Sequence, residues 1–428
     1  MKNNFIQSTL ILMIGGFLSK LLGMITKIYM ARIIHTEGMG LYMMILPTFN
    51  LVITLSQFGL PIALSKLVSE DTRNNKKLFF SILPIAMIIN IIIMIIMINL
   101  SPFISEQLLK NKDLTISIQA MSLVIPFTTI SSICRSYFFG KSRMIPIVIS
   151  SLVEVVTRLL IIIKIIPIFL NLSMTYIICL LILFNIISEA LSTVILLLFL
   201  PKNCIIKKND LRPNKHYIKE SLQISVPNTM SRLIGSIGYF LEPIIITSAL
   251  LKVGYHHKYI MNEYGILQGY VMPLILLPSF FTLAISQALL PTISKEYKQG
   301  RKKYVKKKIK QATILSIIIS LPLTILFIIK PTHALEKIYH TKKGTKYLQI
   351  LSPFCLLQYI QSPLTNALEA MGKSKKVMQI TLLSTLLRTI LTYTLSTLKI
   401  GIWGLILAII INIVITTYYE QKAIKQYL

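Results

Sequence analysis

The 428-residue chain is 54% hydrophobic and only 14% charged, with a mean hydropathy of +0.71. That composition leaves too little polar surface to cover a soluble domain of this size and places the chain in a bilayer. The charge is lopsided, 45 Lys and Arg against 15 Asp and Glu, a balance that suits nucleic acid or anionic lipid. The basic residues sit in short loops between apolar runs rather than in a basic domain, so no nucleic-acid partner is expected. Cys134, Cys179, Cys204 and Cys355 form no CxxC pair, which argues against a disulfide framework or a zinc site.

Apolar runs of about 20 residues, each enough to cross the hydrocarbon core, begin near residues 6, 41, 78, 114, 145, 173, 221, 265, 311, 347, 377 and 400. Lys20 interrupts the first run and no small-residue cleavage site follows it, so it reads as an uncleaved first helix rather than a signal peptide. The heaviest basic loops, 202–219 and KEYKQGRKKYVKKKIK from Lys295 to Lys310, fall on one side of the resulting topology. The positive-inside rule therefore predicts both termini in the cytoplasm. Lys337, Lys342, Lys343 and Lys346 form an outer-loop excess that runs against that orientation.

The second half echoes the first. LPIALSKLVSEDTRNNKK from Leu60 and LLPTISKEYKQGRKK from Leu289 share Pro, then Ser-Lys, then a basic stretch, and Gly140-Lys141-Ser142 returns as Gly372-Lys373-Ser374. The sequence thus predicts an all-α integral membrane protein of about 12 transmembrane helices. They form two parallel six-helix repeats, two lobes around a central cavity: 1–200, a cytoplasmic linker 201–220, and 221–428. The GKS triplets are not P-loops, because Arg135 and Ala367 stand where the first Gly of that motif belongs and no strand precedes either triplet.

Charges inside spans cost about 2.5–3.5 kcal/mol each on insertion scales, so those present need a role. Gly16, Lys20, Gly23 and Lys27 share one stripe of the first span, with the two ammonium groups about 10 Å apart along the axis. Glycines on a stripe often serve only close helix packing, which does not account for lysines among them. Asn228, Arg232, Gly235, Tyr239 and Glu242 repeat the pattern in the seventh span, and Glu154 with Arg158 makes an i,i+4 pair in the fifth. Asn50, Thr54 and Gln57, then Asn185 and Glu189, then Thr381, Ser384 and Arg388 add polar faces on other spans. With Arg135, Arg32 and Lys164 nearer span ends, bases outnumber the acids Glu154, Glu189 and Glu242. A net positive cavity suits an anion, and a diphosphate suits Arg and Lys donors best. His35, His256, His257, His333 and His340 fall in predicted outer loops, and no H-E-x-x-H, G-x-S-x-G or D-x-D motif occurs. Neither catalysis nor a metal or cofactor is expected.

GGFLSKLLGMITKIYMARII from Gly15, EGMGLY from Glu37, FGLPIALSKLVSE from Phe58 and CRSYFFGKSRMIP from Cys134 leading into SSLVEVVTRLL resemble the stage V sporulation protein B and polysaccharide-exporter family. Its superfamily also holds lipid II flippases and multidrug/toxin extruders. The resemblance covers residues 8–160 best and matches Lys20, Lys27, Arg135, Glu154 and Arg158 to the family's polar positions. Phe139 departs from the usual Gln, Val155 stands where members often have Gln, and members usually carry about two further C-terminal helices, which in lipid II flippases help form a groove for the polyprenyl tail. The resemblance implies a flippase for a polyprenyl-diphosphate-linked sugar or a peptidoglycan precursor such as lipid II, serving sporulation cortex, wall or polysaccharide synthesis in a bacterial plasma membrane. Expected substrate contacts are Lys20, Lys27, Arg135, Glu154, Arg158, Asn228, Arg232, Glu242 and Arg388. Membrane lipids are partners, and wall-synthesis enzymes are candidate partners. The alternatives are a multidrug/toxin-type cation antiporter and a non-transporting scaffold for wall synthesis.

Overall fold

A computed structural model describes residues 2–70, 75–200 and 215–428; the side chains of 2–10, 12–13, 215, 227–228, 231, 288 and 291 lie outside the description. Every regular element among the described residues is helical. The helices are α1 (Lys2–Gln57), α2 (Leu60–Ser69), α3 (Asn75–Pro102), α4 (Leu114–Gly140), α5 (Met144–Leu160), α6 (Met174–Leu183), α7 (Asn185–Leu198) and α8 (Lys215–Lys252). They continue with α9 (His257–Gly265), α10 (Met272–Ile275), α11 (Ser279–Lys298), α12 (Lys302–Ile329), α13 (Pro331–Tyr339), α14 (Thr345–Ala370), α15 (Ser374–Ser396) and α16 (Trp403–Tyr427).

Among the described residues seven helices are long and apolar enough to cross a membrane, or eight if the pair 257–275 and 279–287, bent by 49°, is one span. This is a multi-pass membrane protein. The runs expected from 145, 347 and 377 fall on α5, which is 17 residues long, and on α14 and α15, whose polar faces dilute their hydropathy. The sequence led us to expect a loop between the first two spans. Instead α1 is 56 residues long and broken at His35, whose φ of 53° and ψ of −165° leave the helical region. At about 1.5 Å per residue an unbroken helix of that length would far exceed a bilayer core of about 30 Å, so the break separates two crossings. No proline or turn cluster lies between residues 28 and 40, which is why one residue makes the turn.

The chain divides into two compact units, 1–240 and 241–428, so the packing boundary falls within α8. Most of the linker expected at 201–220 lies outside the described residues. In the first unit, Leu64 and Leu67 of α2, Phe79 and Ile82 of α3, and Ile133 and Phe138 of α4 form a dry core. In the second, Ile309 of α12, Leu364 and Leu368 of α14, and Ile424 of α16 do the same. Ile88, Ile92 and Ile95 of α3 and Ile314, Ile318 and Ile325 of α12 stay exposed, as side chains in contact with lipid tails should be. The second unit also gathers aromatic rings at one end: Tyr255 stacks on Tyr259, and Tyr347 meets Trp403 edge to face, the composition of an interfacial belt.

A polar hub ties the first unit together. The fully buried Asn90 side chain donates through Nδ2 to the Ser56 carbonyl at 3.2 Å and accepts from Thr129 Oγ1 at 2.8 Å, linking α1, α3 and α4. Such bonds between spans are worth about 1–2 kcal/mol where no water competes. Asn90→Leu should lower stability in detergent by about that amount, read as a drop in thermal midpoint, whereas replacement of the equally apolar-flanked but exposed Asn99 should leave it unchanged.

Candidate functional site

The expected site residues separate into two kinds of environment. The first is a chain of ion pairs in the first unit. Arg135 Nη2, on α4, contacts Glu154 Oε2 of α5 at 2.5 Å and Ser192 Oγ of α7 at 2.7 Å, and lies 3.9 Å from Glu189 Oε2. The other oxygen of Glu154 accepts from Arg158 Nη2 at 2.9 Å, the i,i+4 pair anticipated from spacing. One carboxylate therefore holds two guanidiniums and joins α4 to α5, and Arg135 extends the chain to α7. Ser192 was not anticipated; it lies one helical turn beyond the polar face formed by Asn185 and Glu189.

The second unit contains a counterpart. Arg388 of α15 pairs with Glu242 of α8, which also accepts from Gln268 Nε2 at 2.6 Å and Tyr264 OH at 3.3 Å. The side chain of Glu242 is only 6% exposed. Gln268 sits in the π-helical turn 266–271 that follows α9, and neither it nor Tyr264 was marked by the sequence pattern. Arg158 and Arg388 are separated by 230 residues, the spacing of the repeat.

The other environment is open. Lys20, Lys27 and Arg232 have exposed side chains, all within the first unit. The glycines beside them make the point more sharply. A Cβ built on Gly16, Gly23 or Gly235 meets nothing within 4 Å, whereas one on Gly15 would come 2.3 Å from Val148 Cγ1 of α5. So α1 packs through Gly15 and leaves the Gly16, Lys20, Gly23, Lys27 stripe unpacked; close helix packing is not what the stripe serves. Asn228 lies outside the residues whose side chains are described. Arg32 and Lys164 stay at the margins, half-buried and exposed.

One acid escaped the sequence reading. Glu420, which no sequence pattern marks, is carried by α16 into the second unit, 5% exposed and accepting from Thr365 Oγ1 at 2.5 Å. Among the described residues no group of three or more His, Cys, Asp or Glu is placed to hold a metal ion.

The sequence profile of polysaccharide biosynthesis proteins matches residues 5–297, and that of MatE proteins matches 268–394. Stage V sporulation protein B of Bacillus subtilis (strain 168) is 31% identical over the full length of this chain and 85% of its own. The chain belongs to the polysaccharide biosynthesis protein family. Lipid II flippase MurJ of the same organism is 24% identical across 88% of this chain and 74% of its own length. Among solved structures, an inward-facing multidrug resistance MATE family transporter of the MOP superfamily superposes with a TM-score of 0.76 at 13% identity, covering 96% of this chain and 95% of the other. Lipid II flippase MurJ in an inward closed conformation gives 0.75 at 18% identity, covering 97% and 87%. Both share the all-helical fold of this family member.

Breaking a fully buried ion pair costs about 3–5 kcal/mol. The guanidiniums here are 27% and 37% exposed, so solvent should reduce that to about 2 kcal/mol. Glu154→Gln should therefore lower the thermal midpoint of the purified protein, and adding Arg158→Gln should cost less than the two single losses combined. The glycine contrast is testable in the same assay. Gly15→Ala should destabilise by about 1–3 kcal/mol through overpacking against the stiff Val148, while Gly16→Ala should be neutral or slightly stabilising.

Proposed function

We propose that this chain is a flippase that moves a polyprenyl-diphosphate-linked sugar or peptidoglycan precursor, of which lipid II is one, from the cytoplasmic to the outer leaflet of a bacterial plasma membrane. In this reading it has two six-helix lobes, 1–200 and 221–428, joined by a cytoplasmic linker at 201–220, with both termini cytoplasmic. The observation that carries it is the open cationic face of α1. Lys20 and Lys27 have exposed side chains on a stripe where a Cβ built on Gly16 or Gly23 meets nothing within 4 Å, which leaves room for an anionic guest beside two cations. Arg232, exposed on α8, adds a guanidinium suited to phosphate oxygens. The names borne by the relatives, a sporulation protein and a lipid II flippase, agree with an anionic lipid-linked substrate.

The other expected contacts take a supporting part. Arg135, Glu154, Arg158, Glu242 and Arg388 are already committed to one another, so they brace the helices and keep the interior near neutral, with Arg158 and Arg388 able to contribute a remaining donor to the substrate. The same pairing takes Glu154 and Glu242 from the carboxylates a cation antiporter would need, since each holds a guanidinium; the acids outside those pairs are Glu189, 3.9 Å from Arg135, and Glu420, which accepts from Thr365. An inside-negative potential favours outward movement of net negative charge by about 2.3 kcal/mol per charge per 100 mV, so it biases export without a nucleotide where the loaded carrier moves net negative charge.

The test is translocation of a fluorescent polyprenyl-diphosphate sugar in proteoliposomes with a clamped potential. Lys20→Ala combined with Lys27→Ala and Arg232→Ala should slow headgroup transfer at least tenfold without changing thermal stability, because all three side chains are exposed. Unchanged transfer in that variant would sink the proposed contacts, and absence of transfer in the unaltered protein across a panel of headgroups would favour the scaffold reading.

A further inference from the structure

A cavity of about 540 Å³ lies in the first unit between α2 and α4, apart from the open lysine stripe. Its wall includes Lys66 and Arg135, the serines Ser65, Ser69, Ser132, Ser136 and Ser142, and no carboxylate. The two helices are held close behind it, since a Cβ on Gly140 would come 2.6 Å from the Ser65 carbonyl oxygen. That glycine opens the Gly140-Lys141-Ser142 turn, which recurs as Gly372-Lys373-Ser374.

The donors have a definite inventory. Ser69 and Ser136 direct their hydroxyl protons to the carbonyls of Lys66 and Ser132, at 2.6 and 2.8 Å. Ser65 and Ser132 make no side-chain hydrogen bond among the described residues, and the Lys66 ammonium makes no ion pair there. Arg135 uses only Nη2 for Glu154, Ser192 and Glu189, and its Nε is buried without a partner. The Lys66 ammonium and the Ser65 and Ser132 hydroxyls thus line the cavity from two helices beside the Arg135 guanidinium, with no acid in the wall, which suits an oxyanion with several acceptor oxygens better than a two-oxygen carboxylate. Ile62 and Phe139, 40% and 48% exposed, supply apolar walls, and the volume exceeds what a bare phosphate fills, leaving room for an ester substituent.

We propose that this α2–α4 cavity is a phosphate-binding site, in which Lys66, Arg135, Ser65 and Ser132 hold the phosphate group and Ile62 and Phe139 contact whatever the phosphate is esterified to. The proposal does not rest on the flippase reading. Because Arg135 also holds Glu154, a phosphate bound there is linked to the ion-pair chain that reaches Arg158.

The test uses the full chain in detergent, with native mass spectrometry following binding of dioleoyl phosphatidic acid and, separately, its displacement by inorganic phosphate. Lys66→Gln, at an exposed position, and Ser136→Phe, which fills the cavity, should each weaken phosphatidic acid binding about tenfold. Lys298→Gln, an exposed lysine of the second unit, should leave it within about twofold. Displacement by inorganic phosphate would assign the site to a free phosphate, and failure to displace would assign it to a lipid headgroup; both support the proposal. Unchanged binding in Lys66→Gln would overturn it even if the thermal midpoint fell, since Lys66 would then serve only the carbonyl end of α2. Equal weakening by Lys298→Gln would also overturn it, by reducing the effect to surface charge. If Ser136→Phe does not fold, Lys66→Gln decides alone.

Discussion

A carboxylate cannot stay charged inside a bilayer without a partner, and in this protein that constraint is met twice by arginine. Glu154 is held between Arg135 and Arg158 in the first unit, and Glu242 by Arg388 in the second. The two arginines Arg158 and Arg388 occupy corresponding places in the repeat, but their acids do not. Ser384 stands where Glu154 would recur, and α8 supplies the second carboxylate instead. The repeat has kept the cation and changed the source of the counter-charge. That substitution makes sense if the requirement is neutrality around a fixed guanidinium rather than any particular helix pair.

Neutral knots inside each unit sharpen the meaning of the charges that remain. A surplus of +30 suggests a broadly cationic molecule, yet most of it lies in loops, and the arginines within spans are largely cancelled by their acids. Lys20, Lys27 and Arg232 are different because their helix faces are unpacked. The proposed division of labour is that the Arg–Glu pairs fix helix positions while the exposed Lys20, Lys27 and Arg232 receive a mobile anion. The cavity beside Lys66 draws on both, since Arg135 belongs to its wall and to the ion-pair chain.

Much of the fold was legible because hydrophobic run length reports bilayer thickness directly: the expected runs fall on helices, though those from 6 and 41 share α1 and that from 265 is broken across α9, α10 and α11. The turn at His35 was not, because it rests on one residue's backbone geometry with no proline to announce it. Local pairing was legible too: Glu154 and Arg158 are one helical turn apart. Glu242 and Arg388 are 146 residues apart, and no periodicity within a helix can reveal which distant helix will face it. Ser192, Gln268 and Tyr264 were missed for the same reason, as neutral side chains whose importance comes from the charge beside them. Glu420 was missed because its neighbours Lys422 and Lys425 resemble a solvated tail, although α16 continues to Tyr427. The lysine stripe was visible at once, but only the contrast between Gly15 and Gly16 separates a packed face from an open one.

The central claim is that the open face of α1 receives a diphosphate. Amine acylation of the full chain, read by mass spectrometry at Lys20 and Lys27 with and without bound polyprenyl diphosphate, tests it most directly. The account predicts that both lysines react in the free protein and are protected by polyprenyl diphosphate but not by a polyprenol of the same length. Equal reaction under all three conditions, or equal protection by the uncharged polyprenol, would contradict it.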